Sequence, residues 1–189
     1  HEFRNILKII KEGKIEPNKI LSSSYGAMGQ PQFMPSSFNK FSFDFNNDGK
    51  VDIWNDEGDT LASIANFLSS NGWEENLDWG TEITKSLKSP CYLEGPDIKK
   101  TITEWEFSGV EIVNNNFKKN FPSSAQTSLL LPKGEYGPKF LVTKNFYVLK
   151  KYNFSDFYAL YVAILADIIE GKKTFKGKWK STINLNYDD

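Results

Sequence analysis

The segment from Asp44 to Asp52 constrains this chain more than any other. Asp44, Asn46, Asp48, Lys50 and Asp52 stand at alternate positions, with Gly49 directly after the third of them. Side-chain oxygens at positions 1, 3, 5 and 9, a backbone carbonyl at 7 and a glycine at 6 let an EF-hand loop wrap a hard cation. The spacing therefore predicts an EF-hand-like loop over residues 44–55 holding one structural Ca2+. Its donors would be Asp44, Asn46, Asp48, the carbonyl of Lys50, and Asp52. Val51, at position 8, can anchor the loop to neighbouring structure. Position 12 holds Asn55 where a bidentate Glu is usual, and Asp56 and Glu57 follow as alternatives. A solvated Asp/Asn/Gly turn is the competing reading. Four oxygen-bearing side chains in register with the glycine favour the ion.

The remaining sequence excludes several functions. Calcium sensors pair two such loops, and this chain of 189 residues has one. A net charge of −1 gives no global attraction to nucleic acid or to an anionic membrane. No apolar run approaches the ~18 residues that would span a bilayer. Cys91 is the only cysteine and His1 the only histidine, which excludes an internal disulfide and argues against a Cys–His nucleophile pair and a histidine-rich zinc site. With 39% hydrophobic and 15% aromatic residues the chain can still bury a sizeable core.

Periodicity gives the elements. Phe3, Ile6, Leu7 and Ile10 predict a helix over 2–12 closed by Gly13, and Leu61, Ile64, Ala65 and Leu68 predict another over 59–70. The segment 33–43 reads as a connection into the Asp loop, and 30–35 as a strand. From Trp79 to Pro90 the pattern is mixed. A short helix is expected near 98–107. Apolar runs at 128–131 and 140–142 flank the turn Pro132-Lys133-Gly134 and predict a hairpin. A short helix over 145–152 follows. Ser155 then caps a long one that carries Phe157, Leu160, Ile164 and Ile168 on one face and ends at Gly171. Lys172 to Lys180 holds five lysines in nine residues, a basic tail that reads as solvated.

Four stretches carry a resemblance: GAMGQPQFMPSSF, DFNNDGKVDIW, DTLASIANFLSSNGW and LLLPKGEYGPKFLVTKNFYVLKKYNFSDFYALYVAILADII. In this order they resemble the MltB family of lytic murein transglycosylases, which cleave the glycan strands of bacterial peptidoglycan. The resemblance spans about residues 2–171. It implies a mainly α fold with a small β-hairpin or sheet, a lysozyme-like cleft and the EF-hand-like calcium loop, with 172–189 as a tail. It further implies that Ser23 and Gln32 hydrogen-bond the substrate or the catalytic Glu, and that Met28 packs against the sugar site. Tyr152 and Asn153 would line the cleft near the scissile bond. Phe67 stands where the family often has Tyr and could stack on a sugar. Trp54, Trp73, Trp79 and Trp105 are candidate platforms, though large aromatics are mostly buried. The implied partner is a peptidoglycan glycan strand rather than nucleic acid. A monomer in the periplasm of a Gram-negative bacterium is expected, tethered at the outer membrane only through a segment upstream.

Glycoside cleavage needs a proton donor at the leaving oxygen. In lytic transglycosylases one Glu acts as acid and then base, while the muramic acid 6-hydroxyl closes onto its own anomeric carbon. The family's Glu lies in a Glu-Ser/Thr-x-Tyr-Gly motif upstream of the GAMGQ stretch. Here Glu2, Glu12 and Glu16 are the only glutamates before that stretch, and none lies in such a motif. The expectation is a piece of a longer enzyme that binds glycan without turnover. A non-catalytic, calcium-stabilised peptidoglycan-binding module is the alternative.

Overall fold

The computed structural model describes residues 1–84, 90–113, 121–122, 124–134, 137–172 and 176–179. Among them six α-helices and a four-stranded antiparallel sheet are distributed over two compact units, His1–Trp73 and Glu74–Asp189. No helix of the described residues is long and apolar enough to cross a membrane.

The first unit is helical: α1 is Glu2–Lys11, α2 Pro35–Phe41 and α3 Glu57–Ser70. Helix α1 forms as expected, but Phe3 and Leu7 of its predicted stripe stay exposed. Its docking face is instead Glu2, Asn5 and Ile9, one helical face at i, i+3 and i+7. Ile9 is fully buried. The Glu2 carboxylate accepts hydrogen bonds from the Ser36 amide and hydroxyl, each at 2.8 Å, and Asn39 Nδ2 donates to the Asn5 carbonyl at 3.1 Å.

The expected connection over 33–43 contains α2. Pro35 at the first helical position fixes φ where the missing N–H costs nothing, and Phe38 and Phe41 bury one turn apart. Helix α3 departs furthest from its apolar period. Leu61 is exposed, while the buried positions are Asp59, Thr60, Ser63 and Phe67. This helix turns a polar face inward, and its reason appears at the Asp loop below.

The second unit is built on the sheet β1 (Gly80–Ile83), β2 (Lys100–Thr101), β3 (Gln126–Leu130) and β4 (Lys139–Val142), in the order β1-β4-β3-β2. The expected hairpin is its centre, with Leu129 opposite Leu141 and Leu130 opposite Phe140. Strand β1, in the stretch that read as mixed, adds Thr81 opposite Leu141 and Glu82 opposite Phe140. Phe140, Leu141 and Val142 are all buried, so β4 is covered on both faces. One face meets a core of Leu77, Ile83, Ile102, Trp105, Val110, Phe121, Leu129, Leu131 and Leu141. Phe140 itself stands 5.9 Å from Trp79, whose ring is 6.3 Å from Phe146.

Helix α4 (Ile102–Phe107) opens with a Thr101–Glu104 capping box. Helix α5 (Lys144–Tyr152) and helix α6 (Asp156–Ile169) follow the expected bounds closely, with Ser155 accepting from the Tyr158 amide as the cap of α6. The buried side of α6 is narrower than expected: Ala159, Leu160 and Ala163 are covered, whereas Phe157 and Ile168 remain about half exposed. Small alanines let the backbone approach its neighbours and leave the large side chains outside. The lysine-rich tail falls partly outside the described residues. Only Lys172 and 176–179 of it are seen.

Candidate functional site

The Asp loop is held by two devices. Inside it, carboxylate and amide oxygens accept from the loop's own backbone. Asp44 takes the Gly49 amide at 2.8 Å, Asn46 the Asp48 amide at 2.9 Å and Asp48 the Lys50 amide at 2.8 Å. Asn47 and Gly49 adopt the left-handed backbone region, at φ 60° and 86°, that this tight winding requires. Asp52 faces the exit turn and accepts from the Trp54 and Asn55 amides at 2.9 and 3.0 Å. Partial burial opposes the Asp52 charge, but the Asn55 side chain and these amides outweigh it, and its carboxyl titrates below the ordinary range.

From outside, α3 clasps the loop with its polar face. Asp59 is 2% exposed, and its two oxygens accept the Phe45 and Asp52 amides, both at 2.8 Å. Ser63 Oγ accepts the Phe43 amide at 2.9 Å, and Thr60 Oγ1 donates to the Ile53 carbonyl at 3.3 Å. The apolar period of α3 is broken because these positions hold the loop. Asp56, one of the alternatives for the twelfth position, caps the helix by accepting the Asp59 amide at 3.0 Å. Asn55, at the twelfth position, donates from Nδ2 to Asp52.

Whether the loop fits a cation is a question of donors and of gathering. The donors are all oxygens, as Ca2+ demands. Among the described residues, however, no group of three or more Asp, Glu, His or Cys side chains stands together as a finished cation site. These oxygens accept the loop's own amides, and the carboxylates keep further lone pairs for an ion.

Next to this loop lies the segment that carries Ser23, Met28 and Gln32. Met28 and Phe33 pair across a four-residue turn, N to O at 2.8 and 3.0 Å, and Ser22 bridges Met28 on its other side. The expected strand over 30–35 is thus a turn, with Gly29 at φ 63° and Gln32 at φ 53°. A Cβ on Gly29 would meet the Ile53 carbonyl oxygen at 2.6 Å, so only glycine lets the turn lie on the loop exit. Gln32 is exposed, and its Nε2 donates to the Gly29 carbonyl at 2.9 Å. Ser23 is exposed too, with Oγ accepting the Ala27 amide at 3.1 Å and the Tyr25 amide at 3.3 Å.

Met28 and Phe67 are both buried. Met28 is 1% exposed, and Phe67 is 7% exposed, edge-on to Phe41 at 4.8 Å. Both lie beneath the surface, because pairing Met28 to Phe33 turns its side chain into the core and the ring of Phe67 completes an aromatic cluster. Trp79 and Trp105 are core as well.

In the second unit Tyr152 ends α5 and Asn153 caps it. Burial, reinforced by Tyr158, pushes the Tyr152 phenol well above its ordinary range, so it keeps its proton. Asn153 is exposed, and its Oδ1 accepts the Ser155 amide at 3.0 Å, fixing the turn into α6. The three upstream glutamates are engaged structurally. Glu2 holds α2, Glu12 pairs with Lys14 at 2.8 Å, and Glu16 pairs with Lys19 at 2.9 Å.

Comparison with known proteins places these features in a family. The model of the transglycosylase SLT domain matches residues 1–167. Membrane-bound lytic murein transglycosylase B of Escherichia coli K12 is 28% identical over 162 residues, which are 85% of this chain and 43% of that protein. The crystal structure of SltB3 from Pseudomonas aeruginosa in complex with NAG-anhNAM-pentapeptide superposes with a TM-score of 0.84 at 38% identity, covering 95% of this chain and 48% of that one. The Escherichia coli lytic transglycosylase Slt35 in complex with calcium gives 0.72 at 28% identity, covering 89% and 52%. The chain thus spans about half the length of the relatives it matches.

Proposed function

From the premise that this chain belongs to the transglycosylase SLT domain family, we propose that it is the substrate-holding part of a peptidoglycan lytic transglycosylase. The reaction is non-hydrolytic cleavage of the β-1,4 bond between N-acetylmuramic acid and N-acetylglucosamine, with the muramic 6-hydroxyl as internal nucleophile and a 1,6-anhydro end as product. The observation that carries this reading is the rigid turn at 28–33, which presents an exposed Gln32 beside the loop exit.

Each polar group has a defined offer. With Nε2 engaged by Gly29, Gln32 presents its amide oxygen as an acceptor for a sugar hydroxyl or N–H. Ser23, whose oxygen already accepts two amides, retains its hydroxyl hydrogen to donate. The Tyr152 phenol, protonated at any working pH, is a donor, and Asn153 can orient an N-acetyl group. Within the first unit, Met28 and Phe67 are buried in the core of the part that carries Ser23 and Gln32. The proton transfer itself needs a Glu in a Glu-Ser/Thr-x-Tyr-Gly motif, and none occurs in the 189 residues. The second reading is a peptidoglycan-binding module without turnover.

The Asp loop would hold one Ca2+ through Asp44, Asn46, Asp48, the Lys50 carbonyl and Asp52, and the ion would add a stabilising cross-link in a periplasmic setting. Purified peptidoglycan incubated with the protein and analysed by mass spectrometry separates the readings. New 1,6-anhydro muropeptides establish the transglycosylase. Retention on sacculi without new ends establishes the binding module. Failure of both overturns the assignment of a glycan substrate.

A further inference from the structure

Resting on the reading of the Asp loop as a cation site, we propose that Trp54 is a positioning residue that couples this loop to the substrate-holding segment 21–33. Trp54 follows the last donor, Asp52, by two positions and makes contacts in three directions. Its amide donates to Asp52 Oδ1 at 2.9 Å, its carbonyl accepts Gln30 Nε2 at 3.0 Å, and its indole Nε1 donates to the Leu21 carbonyl at 2.8 Å. The ring stands 6.3 Å from Phe38 of α2, which is fully buried and gives it a fixed backing.

The two arms reach the two sides of the same segment. Leu21 precedes Ser22, which bridges Met28, and Gln30 lies within the Gly29–Gln32 turn. The neighbouring residue reinforces the second arm, since the Gln30 amide donates to the Ile53 carbonyl at 2.8 Å and Gly29 lies against that same oxygen. A single hydrogen bond therefore separates the Asp52 carboxylate from Trp54, and a single further one separates Trp54 from either side of the segment that presents Ser23 and Gln32. Ordering Asp52 by a cation orders Trp54, and Trp54 orders the segment. Coupling of this kind is reciprocal and amounts typically to about 5- to 150-fold in affinity.

The test is amide hydrogen exchange on the whole chain, with and without calcium chloride, for the wild type, W54F and Q30A. W54F removes the indole donor and keeps an aromatic ring against Phe38. Q30A trims an exposed side chain, so the experiment survives even if W54F folds poorly. In the wild type, calcium is expected to slow exchange across 44–52. It should also slow exchange by about fivefold or more, the lower end of typical coupling, at the hydrogen-bonded amides of Ser23, Met28, Gln30 and Phe33. In both variants the effect on 44–52 should persist while the effect on 21–33 shrinks. If calcium protects 44–52 of the wild type and leaves 21–33 unchanged, or if both variants transmit protection as the wild type does, the role of Trp54 is overturned and the cation reading stands. If 44–52 itself does not respond to calcium, the cation reading falls and takes the coupling with it.

Discussion

Each unit of the molecule uses one buried carboxylate to hold a piece of chain by two backbone amides, and the two cases differ in what they hold. In the first unit Asp59, 2% exposed, grips the Phe45 and Asp52 amides of a loop that is continuous with its own helix. In the second, Glu82 on the edge strand β1, 8% exposed, accepts the Lys176 and Gly177 amides at 2.7 and 2.6 Å, from a segment 94 and 95 positions away. The Asp59 loop is anchored by chain on both sides and cannot leave. The segment at 176–179 lies far along the chain from β1, so no short covalent connection holds its amides on Glu82. The same hydrogen bonds therefore fix a site in one place and fasten a strap in the other.

The difference predicts unequal costs. Asp59→Ala leaves two amides without an acceptor inside a loop that stays in place. At about 1.5–3 kcal/mol for each hydrogen bond to a charged group, the loss is about 4 kcal/mol. Calorimetry should then show Tm falling on the order of 10 °C, at the roughly 2–4 °C per kcal/mol expected for a chain of this size. If the variant melts within a degree or two of the wild type, Asp59 is not the clasp.

Gly29→Ala comes next, at about 2–3 kcal/mol. It combines left-handed backbone strain of roughly 1–2 kcal/mol with a Cβ driven to 2.6 Å from the Ile53 oxygen. Because the turn rather than the loop is disturbed, binding to sacculi should weaken more than stability does. Urea unfolding and sacculus sedimentation on the same variant read the two effects separately.

Glu82→Ala should cost less, about 1–2 kcal/mol, because the released amides of 176–177 regain water. Its clearer sign is proteolytic. Trypsin should cut after Lys176 and Lys178 faster in the variant than in the wild type, with the sheet still folded. Equal cutting rates would mean that the ring contact of Trp179 with Phe157, at 5.6 Å, holds the strap without Glu82.

How much of this could be read from the sequence follows the same division. The loop spacing, the hairpin around Pro132–Gly134 and the helices α5 and α6 depend on neighbours a few positions apart, and local pattern reveals them. Strand β1 was hidden because Thr81 and Glu82 are polar residues buried by partners far along the chain. The inward face of α3 is not the one its hydrophobic period marks, for a related reason. Asp59, Thr60 and Ser63 look like a solvent face to any hydrophobic period, and only the loop they hold explains their burial. The signal that could have found them was the polar run itself, directly after an Asp-rich loop whose backbone needs acceptors. Ser23 and Gln32 came from resemblance alone. Their conformations rest on a glycine turn whose register no side-chain pattern announces.

The smallest expected effect tests whether burial of charge is always structural in the second unit. Asp167 accepts the Trp79 indole N–H at 2.9 Å. Burial raises its pKa, the Trp79 hydrogen bond and Lys172 pull it back, and Asp78 adds to the rise. A carboxyl whose folded pKa lies above its unfolded one binds more protons folded than unfolded, so stability falls as pH rises between the two values. Asp167→Asn keeps an oxygen for Trp79, removes that pH-dependent loss and gives up the 3.6 Å pairing with Lys172. The variant's stability relative to the wild type should therefore increase from acid pH upward and level off above the folded pKa. The whole span should stay within about 1 kcal/mol, since partly exposed ion pairs contribute little. Denaturant midpoints measured across pH 3 to 7, roughly the range over which carboxylates titrate, decide it. A difference that runs the other way would mean that the Lys172 pairing outweighs burial, and that Asp167 belongs with the clasping carboxylates rather than apart from them.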